Sequence, residues 1–339
     1  MLTGSTTGAA SFTGSNRIAA LGNFAAASFT LKDTPDLAVT GTVNGGTSIS
    51  ITDAAALAIP GTLIADTTSL TASSIAESGS IQTGLLIGTT TGAASFSGSN
   101  QIANLGNFSA VGLTLNDAPD LAVTGTVNGG TSVAITDAGN LTVNGSVSGA
   151  TTILEAAAID IPGTVVAPGS LTLTATSGNI GETGSIQAGL LTGSTNGLAS
   201  FVGSNQIAQL GDFGSATLVL DDQRDLAITG AVHPGGSNTI NQVSINDQGN
   251  LSLSGSIDAS AVSLIAATFS ETGSMTASTL TGTIAGGASF AGTNNIATLQ
   301  RFDAGTGALL FDDAASLSVV GAVTAAGEVT SRSVAPGTR

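Results

Sequence analysis

Leu2-Thr-Gly-Ser-Thr-Thr-Gly-Ala-Ala-Ser-Phe12 returns as Ile87 to Phe96, Leu191 to Phe201 and Leu280 to Phe290. Each return is followed by Asn-x-Ile-Ala-x-Leu and then by a Phe, at 24, 108, 213 and 302. Four copies of one long unit therefore fill the chain, starting at about residues 2, 86, 191 and 280. Self-similarity of this kind marks architectures built by stacking. The leading Phe residues lie 84, 105 and 89 residues apart, which reads as four units of 21, five units of 21, and four units of 21 with five extra residues.

The irregularities are local. Val43-Asn-Gly-Gly-Thr-Ser-Ile-Ser-Ile51 becomes Val232-His-Pro-Gly-Gly-Ser-Asn-Thr-Ile-Asn-Gln-Val-Ser-Ile245 in the third copy, a loop insertion. The long second copy gains a whole unit around Leu141-Thr-Val-Asn-Gly-Ser-Val147. Within Leu37-Ala-Val-Thr-Gly-Thr-Val43 apolar residues alternate with small polar ones, the period of a strand. Gly41 and its equivalents suit a bend where a side chain would obstruct stacking. Asn16, Asn100, Asn205 and Asn294 take that place in the Phe-led units, where Asn tolerates a left-handed backbone. Short strands broken by Gly, Asn and Asp turns predict an all-β fold, a single-stranded parallel β-helix or β-solenoid. About 15 coils of roughly 21 residues are expected over residues 1–329, followed by an irregular tail over 330–339. Strands stacked at about 4.8 Å would give a rod roughly 70 to 75 Å long.

Composition narrows the function. The 339 residues include 47 Gly, no Cys, Trp or Tyr, one His, and six basic against 22 acidic residues, for a net charge of −16. Only 8% of residues are charged and 41% are hydrophobic, so the chain is expected to fold. Nucleic acid is not an expected partner, because phosphate binding needs clustered Lys and Arg and the six cations are scattered. Membrane insertion is not expected either. No stretch reaches the roughly 20 apolar residues of a spanning helix, and a barrel would want aromatic girdles. Without cysteine there are no disulfides or thiolate metal sites, which suits an exported protein folding without redox help. No charged leader and apolar core precede Leu2, so any signal peptide is expected outside these residues.

Asn-x-Ile-Ala-x-Leu-Gly-x-Phe and Asp-Leu-Ala-Val-Thr-Gly-x-Val resemble the β-strand repeats of very long bacterial exoproteins of the filamentous haemagglutinin type. The resemblance runs from Leu2 to about Val329. It implies two-partner secretion, a β-helical shaft and an extracellular place on the Gram-negative cell surface. It also implies a receptor, on a host surface or matrix, that the sequence does not name. The amino-terminal secretion domain of that family has no counterpart here. The chain opens on a repeat boundary, as would an excised piece of something longer or a unit that stacks on its own copies.

Candidate chemistry is sparse. Carboxylates cluster once per copy, at Asp33 and Asp36, Asp117 and Asp120, Asp221, Asp222 and Asp225, and Asp312 and Asp313. Oxygen ligands in turns suit calcium, but these clusters lie about four coils apart, so they read as solvated turn residues. Glu77, Glu182 and Glu271 recur in Glu-Ser/Thr-Gly-Ser-Ile/Met at positions that strict alternation would bury. With no cation nearby in sequence, the expectation is a bent strand with Glu facing solvent or bonded to hydroxyls. His233 reads as a loop residue. Thr40 and Thr42 recur at Thr124 and Thr126, not on consecutive coils as an ice-binding face would need. No catalytic, metal or cofactor-binding residue is assigned, and an enzyme is not expected. The expected function is a structural shaft that holds a binding region away from the cell. The alternative is a filament subunit associating end to end.

Overall fold

The computed structural model describes residues 1–233, 241–314 and 316–333, with the side chain of Ser333 left aside. Every regular element among them is a strand. The strands pair in parallel with the turn that follows, so the chain is a β-solenoid, as expected. Its turns group into two compact units, Met1–Ala167 and Pro168–Arg339. Together they hold about 17 turns, roughly 19 residues apart.

The turn is thus shorter than the sequence spacings suggest. In the first unit Leu37 pairs with Leu57, Leu57 with Ile75, and Ile75 with Ala94, each step close to the mean of roughly 19 residues. Four such turns fall short of the interval between Phe12 and Phe96, so the long repeat is not a whole number of turns. Phe12 stands under Leu31, Ile51, Leu70, Gly88 and finally Phe108. Phe96 stands in a different column, over Glu77 and Ile59. The second unit repeats this, with Phe201 continuing through Leu220, Ile245, Leu264 and Gly282 to Phe302, while Phe290 stands over Glu271. Within each unit the later copy has moved about one third of a turn around the coil.

Alternation does the rest. In Ser48–Asp53 the residues Ile49, Ile51 and Asp53 point inward and Ser48, Ser50 and Thr52 outward. The same pattern lines the core with Leu, Ile, Val and Phe up to the last strands, where Val319 and Val329 are exposed. Four edge-on ring pairs recur, Phe12–Phe24 at 5.7 Å, Phe96–Phe108 at 5.5 Å, Phe201–Phe213 at 5.7 Å and Phe290–Phe302 at 5.5 Å. Gly4, Gly88, Gly193 and Gly282 lie directly under Phe24, Phe108, Phe213 and Phe302, and the strand register shifts beside each of them.

One corner admits only glycine. A Cβ on Gly61 would lie 2.2 Å from the Gly41 carbonyl oxygen, and one on Gly79 would lie 1.9 Å from that of Gly61. Gly41 and its equivalents do clear the stack, as the sequence suggests. The asparagines do not share their place. No non-glycine residue has positive φ among the described residues. Gly98 continues the glycine column, and Asn100 lies two residues on, at the level of Ile81, pointing inward. The final strand, Val329–Ser333, pairs with Leu309–Asp313, so stacking continues through Ser333, past the expected end of the repeat at Val329. Residues 334–339 of the expected tail lie outside the described residues, as do 234–240 of the inserted loop.

Because backbone atoms meet across the glycine column, Gly79→Ala is expected to cost about 3 kcal/mol. Gly14→Ala, whose new Cβ has nothing within 4 Å, should stay within about 0.5 kcal/mol. Urea denaturation of both variants checks this.

Candidate functional site

The acidic residues expected at the surface are the most informative ones inside. Glu77, Glu182 and Glu271 are 1%, 0% and 1% exposed. Alternation placed them correctly, and the expected bend toward solvent is not there. A buried carboxylate needs donors, and the next turn provides them. Glu77 Oε2 accepts the Gly98 N–H at 3.0 Å and the Asn100 Nδ2 donor at 3.0 Å. Glu182 Oε2 accepts from Gly203 at 3.1 Å and Asn205 at 2.8 Å, and Glu271 Oε2 from Gly292 at 2.8 Å and Asn294 at 3.0 Å. Glycine is required here by space as well, since a Cβ at Gly98, Gly203 or Gly292 would lie 2.1, 2.0 or 1.9 Å from the other oxygen of its Glu.

Each asparagine then joins three turns. Asn100 Nδ2 also donates to the Asn116 carbonyl above at 3.0 Å, and its Oδ1 accepts the Ile81 N–H below at 2.8 Å. Asn205 repeats this with the Asp221 carbonyl at 3.2 Å and the Ile186 N–H at 2.9 Å. Asn294 does so with the Asp312 carbonyl at 3.1 Å and the Met275 N–H at 3.0 Å. Asn16 has no Glu beneath it and binds the Phe12 and Lys32 carbonyls instead.

One turn higher the corner passes to aspartate. Asp33, Asp117, Asp222 and Asp313 are buried, contrary to the expectation of solvated turn residues. Their Oδ1 atoms accept the N–H of Ile18, Ile102, Ile207 and Ile296 at 2.8 to 3.1 Å. Three of them carry a second buried aspartate in register above, Asp33 under Asp53, Asp117 under Asp137 and Asp222 under Asp247. The motif apolar-x-apolar-x-Asp in Phe29 to Asp33 and again in Ile49 to Asp53 signals this stack, which grouping carboxylates once per copy leaves out. Asp36, Asp120 and Asp225 are exposed as expected and accept the N–H of Ala56, Asn140 and Asn250 on the next turn.

Burial raises the titration of six of the carboxyls. It pushes Asp117 up to about 7, against the opposing N–H groups of Ile102 and Ala118 and with help from the Asp137 charge. Burial likewise pushes Asp222 up to about 6, where the Ile207 and Arg224 N–H bonds oppose it. Asp53, Asp137, Asp247 and Glu182 are also raised, each chiefly by burial. Chemically the corner tethers coils, because one oxygen of each Glu and of each lower Asp is held by backbone or asparagine donors of a neighbouring turn. The second oxygen of Glu77, Glu182, Glu271, Asp33, Asp117 and Asp313 is buried without a partner.

The remaining candidates stay apart. His233 is exposed, its N–H donating to the Phe213 carbonyl at 3.2 Å. Thr42 stacks under Thr62 and Ser80, while the residue above Thr40 is Pro60, so no Thr-x-Thr pair repeats there. A shallow hollow is lined by Gly88, Asn107, Phe108, Ser109, Thr126 and Asn128, none of them titratable. Among the described residues no three His, Cys, Asp or Glu side chains are grouped to hold a metal ion, and no helix is long and apolar enough to cross a membrane. No family model matches the chain, nor does any curated protein or solved structure.

Asn205→Ala would strand the buried Ile186 N–H and remove a donor from Glu182, at an expected cost of about 3 kcal/mol. Asn140→Ala, which gives up an exposed bond to Asp120, is expected to cost about 0.5 kcal/mol. Chemical denaturation of the two variants, compared with the unaltered chain, tests the difference.

Proposed function

We propose that this chain is a passive spacer, a shaft segment of a secreted bacterial surface protein of the filamentous haemagglutinin type, placed outside the Gram-negative cell. It acts by geometry rather than catalysis. Stacked turns couple to their neighbours and convert chain length into reach, and a binding region carried elsewhere meets the receptor. The observation that carries this reading is the direction of the polar investment. The Glu, Asn and Asp side chains that recur in the copies face inward and tie turn to turn. The outer faces carry mainly Ser, Thr, Ala and Gly, which suits solubility without committing the surface to a ligand. A net charge of −16 adds mutual repulsion that keeps such segments apart. The repeat style Asn-x-Ile-Ala-x-Leu supports the family attribution.

Electron microscopy of the purified chain over a dilution series tests the proposal. Single elongated particles at every concentration are expected. Fibres that persist on dilution would replace the spacer with a self-stacking filament subunit. Turnover of a polysaccharide by the purified chain would remove the passive reading altogether.

A further inference from the structure

We propose that the stacked pair Asp117/Asp137 is a proton store, holding one proton between its two carboxylates near neutral pH and releasing it to solvent as the pH rises, with loosening of that corner. The two residues are register partners on adjacent turns, and adjacent parallel strands lie about 4.8 Å apart. Asp137 is satisfied by backbone, its Oδ2 accepting the Leu121 N–H at 3.1 Å and its Oδ1 the Gly139 N–H at 2.9 Å. Asp117 is not. Its Oδ1 takes the Ile102 N–H at 3.0 Å, but Oδ2 is buried without a partner in a residue only 7% exposed. An ionised oxygen there would be desolvated beside a second carboxylate. A protonated one becomes a donor, and the Asp137 carboxylate above retains lone pairs to accept it.

No cation competes for the site. The chain has no Lys, Arg or His between Lys32 and Arg224. The strand below contributes neutral Asn100 and Gln101, with Glu77 one turn further down bonded to Asn100. The turn that follows contributes exposed Asp120, and the strand above Asp137 contributes Glu155, in register with Thr136. All charged groups around the pair are therefore carboxylates, and each favours retaining the proton. Asp222/Asp247 has the same stacking but differs informatively. Asp222 Oδ2 accepts the Arg224 N–H at 3.0 Å, with the Arg224 charge nearby, so this pair gives up its proton at lower pH.

The sign follows from proton counting. A carboxyl whose folded value, about 7, exceeds its unfolded value of 3.8 binds more protons folded than unfolded, so its contribution falls as pH rises between those values and is constant above them. The unfolding equilibrium constant of the full chain is expected to rise at least about tenfold between about pH 5 and about pH 8. Asp117→Asn, which resembles the protonated acid, should flatten that dependence and stabilise the chain at the upper pH. Asp222→Asn should do so less. A wild-type stability that is flat or rises with pH, or an Asp117→Asn chain that keeps the full dependence, overturns the proposal. So does stabilisation by millimolar calcium at the upper pH that Asp117→Asn abolishes, because a cation would then fill the corner. Should the variant not fold, carbon-13 NMR of aspartate-labelled wild-type chain decides. A carboxyl resonance titrating near 7, above the one near 6 that Asp222 supplies, is expected, and its absence would reject the proposal.

Discussion

Parallel stacking imposes one demand on which the rest of this molecule depends: each strand must land in register on the strand beneath, or the backbone ladders fall out of step. The demand holds whatever the length of the loop between them, as Leu226 under Leu251 shows across the inserted loop. A slip by one residue would move every inward side chain to the outside. Apolar contacts are poor guardians of register, because a Leu column accepts a displaced Leu almost as well. Directional bonds at a buried corner are better ones. The carboxylate of Glu182 finds its donors only if Gly203 and Asn205 arrive at their positions, and Asn205 closes only if Ile186 below and Asp221 above are also in place. One corner thereby fixes three turns.

Such a corner is conditional. Removing one partner leaves a buried polar atom unpaired, which costs more than the bond itself contributes, so its members must come as a set. The sequence has this property. Glu and Asn keep one constant separation at 77 and 100, 182 and 205, and 271 and 294, although the copies around them differ in length. Glycine belongs to the set as well, since Gly98, Gly203 and Gly292 leave room for the second Glu oxygen. Gly14 stands at the same place in the first copy without a Glu beneath it, and a Cβ there would meet nothing within 4 Å. The same residue is obligatory in three copies and sterically free in the fourth.

The fold was legible because repetition and alternation act together. Alternation also placed Glu77 and its equivalents inside, and the prior cost of a buried charge argued them out again. The missing information was the partner. Asn100 is distant from Glu77 in sequence, but its side chain reaches it from the next turn. It does so diagonally, because the residue in register over Glu77 is Phe96, and no single turn length brings such a pair together. Grouping carboxylates once per copy likewise leaves Asp53 out of the comparison with Asp33. Spacings between copies average over a fractional turn, and only the hydrogen-bonded register reveals the shorter step of roughly 19 residues. The exposed aspartates, Asp36, Asp120 and Asp225, were read correctly because a turn carboxylate on the surface needs no distant partner.

The fractional turn bears on what the outside can do. A ligand that reads a repeating face, such as a crystal surface, needs the same side chains in the same column turn after turn. Here the later copy in each unit advances by about one third of a turn, so equivalent residues within a unit land on different sides. In the second unit Glu182 stands under Phe201 in one column and Glu271 under Phe290 in another. The corners at Glu182 and Glu271 thereby fall on different sides of the second unit. A whole-number repeat would have built a patterned face. The repeat found here places the equivalent corners of one unit in different columns, so within a unit they do not line up into a single patterned face.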